Sequence, residues 1–280
     1  MEHRDRSTGW KHAKLSGHKN EECVKIMLES EESFSYDFLK RIGYPDTSII
    51  KTSIGGLHET NVQSVNGKTT KSKTDLKVFL QNGKIINISI KKSLGGQVYL
   101  VQADSFINTF ERQFSIKIPN EVKRAINLFW ANSNDANDII DKYADKSQEK
   151  AYNLQIHHKS LNATTLKNYD ETLYKSLLSW FSDNSYQIAK LSFSMGAAIN
   201  NNDWSTYVWY INLLEENNIN EIIKIEDICN KSQLVAKSET YFGSANGGTT
   251  IQLPFGFVQW HQKMLQFHHS YNKIVALFNS

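Results

Sequence analysis

The chain has 280 residues, of which 40% are hydrophobic and 22% charged, with only 3 Pro and 14 Gly. That supplies enough apolar side chain for a sizeable core and excludes a disordered or collagen-like chain. The formal net charge of +3 is unevenly spread: residues 1–100 carry 16 Lys and Arg against 11 Asp and Glu, whereas the rest carry 16 against 18.

No run approaches the ~18 apolar residues of a membrane span. The first residues (Met1-Glu2-His3-Arg4-Asp5-Arg6) lack the apolar stretch of a signal peptide, so a soluble cytoplasmic protein without a membrane partner is expected. Cys23 and Cys229 lie among apolar residues and far apart in sequence, which suits buried thiols better than a disulfide or a metal site.

Residues 10–39 read as helix, with Val24, Ile26, Met27 and Leu28 interleaved with Lys and Glu, until Gly43-Tyr44-Pro45-Asp46 breaks the pattern. Strand-like runs follow at 74–80 and 84–91, joined by Gln81-Asn82-Gly83, whose Asn-Gly pair is a specific hairpin signal. Gly95-Gly96 reads as a turn, after which 99–114 and 120–130 have helical spacing, with Phe106, Ile107, Phe110 and Phe114 on one face. Residues 132–155 are polar, with one short helix expected near 138–143. Residues 169–181 form an amphipathic helix that places Leu173, Leu177, Leu178 and Trp180 for packing. Residues 206–214 fit either a strand or a buried helix turn. From Gln233 onward the chain reads as β-rich, punctuated by Gly243, Gly247-Gly248 and Gly256. Without a repeat or linker, the expected organisation is one α+β domain over 1–280. Its catalytic core spans about 10–130, and a helical, then β-rich, region that meets the ligand spans about 131–280.

Seven lysines (Lys68, Lys71, Lys73, Lys77, Lys84, Lys91 and Lys92) surround one acid, Asp75, between Asn66 and Gly95. A lone carboxylate among lysines suits a polyanion that needs a metal delivered to it, although a solvated basic hairpin fits the same composition. Asp75 opens the first strand of the hairpin. Ser89 and Lys91, two apart on the second, share one face of the sheet. Hydrolysis of a phosphodiester needs a carboxylate to hold Mg²⁺ and a cation to orient the attacking water, both on rigid elements. The spacing Asp75…Ser89-Ile90-Lys91 is the PD-(D/E)xK nuclease pattern with its second acid replaced and Thr74 in place of Pro. Asp75 also reads as a turn-adjacent acid paired with Lys73 or Lys77.

The surroundings resemble the type II restriction endonucleases of the MspI and HinP kind. Gly17-His18-Lys19-Asn20-Glu21 is similar to the start of the first helix of the HinP type, and Ser72-Lys73-Thr74-Asp75 to its metal-binding strand. Ile88-Ser89-Ile90-Lys91 resembles the strand that follows, where the family has Gln or Asn at the position of Ser89. Gln102-Ala103-Asp104, Thr249-Thr250-Ile251-Gln252 and Met264-Leu265-Gln266-Phe267 resemble later segments in the same order, so the likeness spans most of the chain. It implies a restriction-endonuclease-like core, a mixed central sheet flanked by helices, carrying a helical insertion and a β-rich C-terminal region. It further implies Asp75 as the central Mg²⁺ ligand (Mn²⁺ able to substitute), Lys91 as the residue that positions water, and Glu21 as a second acid. Ser89 is the departure, a weaker ligand that puts a second metal position in doubt. Lys92 should face the other side of the strand.

Arginine, the commonest specific reader of guanine, is scarce: Arg4, Arg6, Arg41, Arg112 and Arg124 are all. The amides of Gln252, Gln259, Gln262 and Gln266 suit adenine, Lys263 suits guanine, and Phe257 or Trp260 suits stacking on bases. Gln97 and Gln102, after the catalytic strand, together with Lys73 and Lys92, complete the candidate DNA contacts. Each also reads as ordinary sheet surface or core, and His261, His268 and His269 as surface or backbone-contacting histidines without a metal. The expected activity is that of a Mg²⁺-dependent type II restriction endonuclease cutting double-stranded DNA at a short site. It would act as a monomer or homodimer, alongside a cognate DNA methyltransferase that the resemblance implies. The alternatives are a sequence-specific DNA-binding protein with a degenerate nuclease site, for which Ser89 speaks, and a repair or modification-dependent nuclease.

Overall fold

The computed structural model describes residues 6–55, 61–131, 133–215 and 219–279, with side chains from Ser16 onward. Helices α1 (Arg6–Ser30) and α2 (Glu32–Arg41) lead into strands β1 (Ile49–Ile54), β2 (Val62–Gln63), β3 (Thr69–Thr70), β4 (Leu76–Leu80), β5 (Ile85–Lys91) and β6 (Gly95–Gln102). A helical run follows: α3 (Ala103–Phe114), α4 (Asn120–Trp130), α5 (Ala136–Tyr143), α6 (Glu149–His158), α7 (Ala163–Tyr169), α8 (Glu171–Asp183) and α9 (Ser185–Lys190). The chain ends with β7 (Tyr207–Ile211), β8 (Asn220–Lys224), α10 (Ile225–Glu239), β9 (Tyr241–Phe242), β10 (Thr250–Leu253), β11 (Gly256–His261), β12 (Met264–Ser270) and α11 (Tyr271–Asn279). It divides into two compact units, one built from the chain up to Leu94 and from Phe193–Ile225, the other from Gly95–Ser192 and from Glu226 onward. Among the described residues, no helix is long and apolar enough to cross a membrane.

In the first unit a mixed sheet has the order β1-β4-β5-β7-β8, with β5 and β7 parallel and the other pairs antiparallel. Period-two alternation decides its two faces. Leu76, Val78 and Leu80 of β4 and Ile86, Ile88 and Ile90 of β5 point into a core shared with Val24, Leu28, Phe38, Leu39, Trp209 and Ile211. Trp209 stacks on Phe34 and Phe38, with ring centroids 5.7 and 5.1 Å away. The opposite face of β5 carries Asn87, Ser89 and Lys91, and Asn87 and Ser89 are buried even though they are polar.

In the second unit an antiparallel sheet has the order β6-β12-β11-β10-β9. Its inner face, with Tyr99, Val101, Ile251, Val258, Leu265 and Phe267 all buried, covers aromatic helix residues: Phe106 of α3 lies 5.6 Å from Phe267 and 6.4 Å from Phe181 of α8.

The β4–β5 hairpin forms as its Asn-Gly turn dictates, with Gly83 at φ +82°. Helices over 120–130 and near 138–143 also form, and 206–214 resolves into strand β7. Three expectations are corrected. The single helix over 10–39 is two, because Glu31 is extended (φ −113°, ψ 101°) and the Ser30 hydroxyl donates back to the Ile26 carbonyl at 2.9 Å, a bond that bends helices. Residues 95–102, read as a turn followed by helix, form β6, and the helix begins at Ala103. The alternation of part-exposed Val98 and Leu100 with buried Tyr99 and Val101 has the period of a strand, and Gly95 and Gly96 pair with Ser270 and His269. The stretch after Gln233 is less β-rich than expected. Buried Ile228, Cys229, Ser232 and Ala236 follow helical spacing, so α10 continues to Glu239, and Ile274 and Leu277 anchor α11. Cys229 is a buried free thiol pushed upward by burial, and Cys23 is free and half-buried.

Candidate functional site

Asp75 sits one residue before β4, its backbone fixed on both sides: its N–H donates to the Ile88 carbonyl at 2.8 Å and its carbonyl accepts from Gly55 N–H at 2.9 Å. That register places Asp75 opposite Ser89. Its Oδ2 accepts from the backbone N–H of Ile90 at 2.8 Å and from Ser89 Oγ at 3.1 Å, with Lys91 Nζ 3.6 Å away. Lys91 Nζ donates to Ser89 Oγ at 2.7 Å and to the Ile90 carbonyl at 3.2 Å. Ser89 thus accepts from the lysine and donates to the aspartate. Among the described residues, no protein group donates to Asp75 Oδ1, and the side chain keeps 23% of its surface.

Glu21 of α1 reaches the same cluster. Burial, then the nearby Asp75 charge, pushes its carboxyl above the usual range, while a 3.2 Å bond between His18 Nδ1 and Glu21 Oε2 and the charge of Lys91 pull it back. Glu21 Oε1 has no protein donor among the described residues. Lys73 belongs here as well. Burial, then the charge of Lys91, lowers its amine to about 7 against the opposing pull of Asp75. Its stem lies against Gly196, where a β-carbon would meet Lys73 Cε at 3.1 Å.

The sequence-derived cluster of Asp75, Ser89, Lys91 and Glu21 is therefore brought together. Lys92 faces away and pairs with Glu215 at 2.8 Å, and Lys77 pairs with Asp203 at 3.7 Å, whereas Lys91 is placed at Asp75 Oδ2. Lys73, expected as a DNA contact and as a partner of Asp75, lies near that acid, as an extended chain puts positions 73 and 75 on one face; its burial escapes sequence reasoning. So does the role of Asn20. Asn20, fully buried, ties α1 to the end of β7: its amide donates to the Ile211 carbonyl at 2.9 Å and its oxygen accepts from Leu213 N–H at 2.7 Å.

The donor set is one of hard oxygens, the Asp75 and Glu21 carboxylates and the Ile90 carbonyl. Mg²⁺ is commonly held by one or two carboxylates plus waters and phosphate oxygens, so these residues fit it. Among the described residues, no group of three or more His, Cys, Asp or Glu is placed to hold a metal.

The candidate DNA readers lie in the second unit, apart from Lys73 and Lys92. Gln252, Gln259 and Gln266 alternate with buried Ile251, Val258 and Leu265, so they share the outer face of the sheet. Gln97 and Gln102 on β6 join that face through the pairs Gln97–His268 and Gln102–Met264. Gln266 Nε2 donates to Gln97 Oε1 at 2.7 Å, Gln259 Nε2 donates to Gln266 Oε1 at 2.9 Å, and Gln259 Nε2 lies 3.2 Å from His268 Nε2. Gln252 accepts from Lys273 at 3.2 Å. Gln262 and Lys263, at φ +48° and +65°, form the exposed two-residue tip between β11 and β12. Phe257 stacks on His268 at 4.6 Å, and Trp260 stacks on His158 at 3.7 Å, so each ring has one face covered.

No protein-family model matches the sequence, and no curated relative matches it. A solved structure of the restriction endonuclease MspI in complex with its cognate DNA is similar, with a TM-score of 0.47 and 13% sequence identity over 92% of this chain and 87% of that chain.

Proposed function

We propose that the protein is a Mg²⁺-dependent type II restriction endonuclease that hydrolyses both strands of double-stranded DNA at a short specific sequence. The observation that carries this reading is Asp75 Oδ2, held by Ile90 N–H and Ser89 Oγ, with Lys91 Nζ 3.6 Å away and, among the described residues, no protein donor to Oδ1. Asp75 and Glu21 would hold the metal, which when bound polarises a phosphate oxygen and lowers the pKa of a bound water. Lys91 Nζ orients the attacking water and stabilises the negative charge that builds on it, from a stem fixed on β5. The water oxygen bonds to phosphorus in line, the bond to the 3′ oxygen breaks, and the products carry 5′-phosphate and 3′-hydroxyl ends. Ser89 couples the two charged groups, passing a hydrogen bond from Lys91 to Asp75, and so sets their separation without itself contributing a carboxylate.

A second reading, a DNA-binding protein without catalysis, is favoured by one feature: the site has two carboxylates where Ser89 stands in the place of a third donor. One experiment separates them. Long unmethylated DNA is incubated with purified protein in Mg²⁺ or in EDTA, and the fragment ends are sequenced. Discrete Mg²⁺-dependent fragments sharing one short motif are expected; intact DNA that is retarded in a gel would replace the nuclease with the binder.

A further inference from the structure

After Glu239 the sequence contains no Asp or Glu, and neither does the stretch Gly95–Gln102. All five strands of the second sheet are therefore free of carboxylates, while Lys263, His261 and His268 lie on its outer face or at its tip. These strands present no like charge to a polyanion.

Across three strands runs the row Gln97, Gln266, Gln259, His268. Each side-chain amide offers two N–H donors and an oxygen with two lone pairs. Gln266, in the middle, spends one N–H on Gln97 and one lone pair on Gln259. It keeps one N–H and one lone pair on an amide that belongs to the outer face of the sheet. Reversing all the amides leaves the same remainder, because Gln266 would then accept from Gln97 and donate to Gln259. Its neighbours hold it in one orientation, so little side-chain freedom remains to be lost on binding. In the major groove adenine presents an acceptor, N7, beside a donor, N6–H, whereas guanine presents two acceptors. A fixed amide with one donor and one acceptor left matches adenine and leaves its own oxygen unpaired against guanine.

We infer that the amide-lined face of this sheet docks in the major groove of duplex DNA and that Gln266, clamped by Gln97 and Gln259, reads the adenine of an A·T pair in the target. This deepens the nuclease reading, on which its place in a cleavage site rests, but it can be tested through binding alone. A random duplex library is selected, with Mg²⁺ present, on the full chain carrying Asp75→Asn, and the selected pool is sequenced. The expected pool shares a position fixed as adenine, and Gln266→Ala relaxes that position while leaving the others fixed. Replacing that adenine by 7-deazaadenine, which removes only the N7 acceptor, should weaken binding of the unsubstituted Gln266 protein about tenfold. A pool of G·C pairs alone, an adenine preference that survives Gln266→Ala, no effect of 7-deazaadenine, or preferential capture of single strands would each overturn the assignment. The two readings fail separately. An adenine-containing site bound by a protein whose wild type cuts no DNA removes the nuclease and keeps the reader, and Mg²⁺-dependent cutting at sites made only of G·C pairs does the reverse.

Discussion

Lys91 Nζ donates to Ser89 Oγ at 2.7 Å, two positions back on the same strand. The hydroxyl in turn donates its O–H to Asp75 Oδ2 at 3.1 Å, so a neutral residue spans the gap between cation and anion. An aspartate at this position would add a hard oxygen donor to a pair of carboxylates, with Lys91 there to offset the added charge. Ser89→Asp is therefore expected to lower the Mg²⁺ concentration at half-maximal cleavage by about tenfold, since Mg²⁺ affinity rises with the number of carboxylates supplied. Mg²⁺ titrations of the two proteins on one cleavable duplex decide this; an unchanged or higher midpoint would show that position 89 does not face the metal.

Asp75 and Lys91 carry the proposed chemistry, whereas Lys92 points away to Glu215. Asp75→Asn and Lys91→Ala should each reduce single-turnover cleavage by about 100-fold or more, the usual effect of removing a charge-stabilising group at a reacting centre. DNA affinity should fall much less. Lys92→Ala should leave the chemical step within about twofold, because an exposed ion pair is weakened by solvent screening and this one touches nothing that reacts. Loss of the chemical step in Lys92→Ala with retention in Lys91→Ala would reverse the assignment of the strand face.

A pH effect on stability is expected at Asp135. Hydrogen bonds from Arg124, aided by Ser133 Oγ at 2.6 Å, hold its carboxyl down at about 2. A carboxyl depressed in the folded state stabilises the fold fully above its unfolded pKa of about 4, and that contribution drains away as the pH falls toward 2. Both side chains are more than a third exposed, so solvent screening limits the effect to about 1 kcal/mol. Urea unfolding should show Asp135→Asn less stable than the parent by about that amount at pH 7, with the two converging near pH 2. A gap that persists unchanged in acid would mean that the loss is one of packing rather than charge.

What was legible in the sequence follows the range of the interactions. The β4–β5 hairpin was readable because Asn82-Gly83 meets a local demand for positive φ, and Asp75, Ser89 and Lys91 converge because the strand period and that turn fix their register. Strand β6 is not legible locally because four apolar residues, Val98 to Val101, are too few to distinguish a strand from a helix; its partner β12 lies more than 160 residues away and decides the matter. The glutamines were readable one at a time. Their row was not, since it depends on the register of β6, β12 and β11, and β6 comes from a distant part of the chain. Asn20 was invisible as a structural residue for the same reason: both of its partners lie about 190 residues downstream.

Asn20 also supplies the sharpest test of how the site is held. It is fully buried beside Glu21, and its amide satisfies the Ile211 carbonyl and the Leu213 N–H at the end of β7. Alanine would remove both bonds at once, and a buried backbone group left without a partner costs about 1–3 kcal/mol. Asn20→Ala is expected to lower stability by about 2–4 kcal/mol, read as a lower urea midpoint at unchanged slope. Asn20→Asp keeps an acceptor for Leu213 N–H but offers no donor to Ile211, so it should rescue only part of the loss. Because α1 carries Glu21 into the cluster with Asp75, cleavage by Asn20→Ala should also fall at temperatures where the protein is still folded. Full activity in the folded variant would mean that the helix holds its place without this tie.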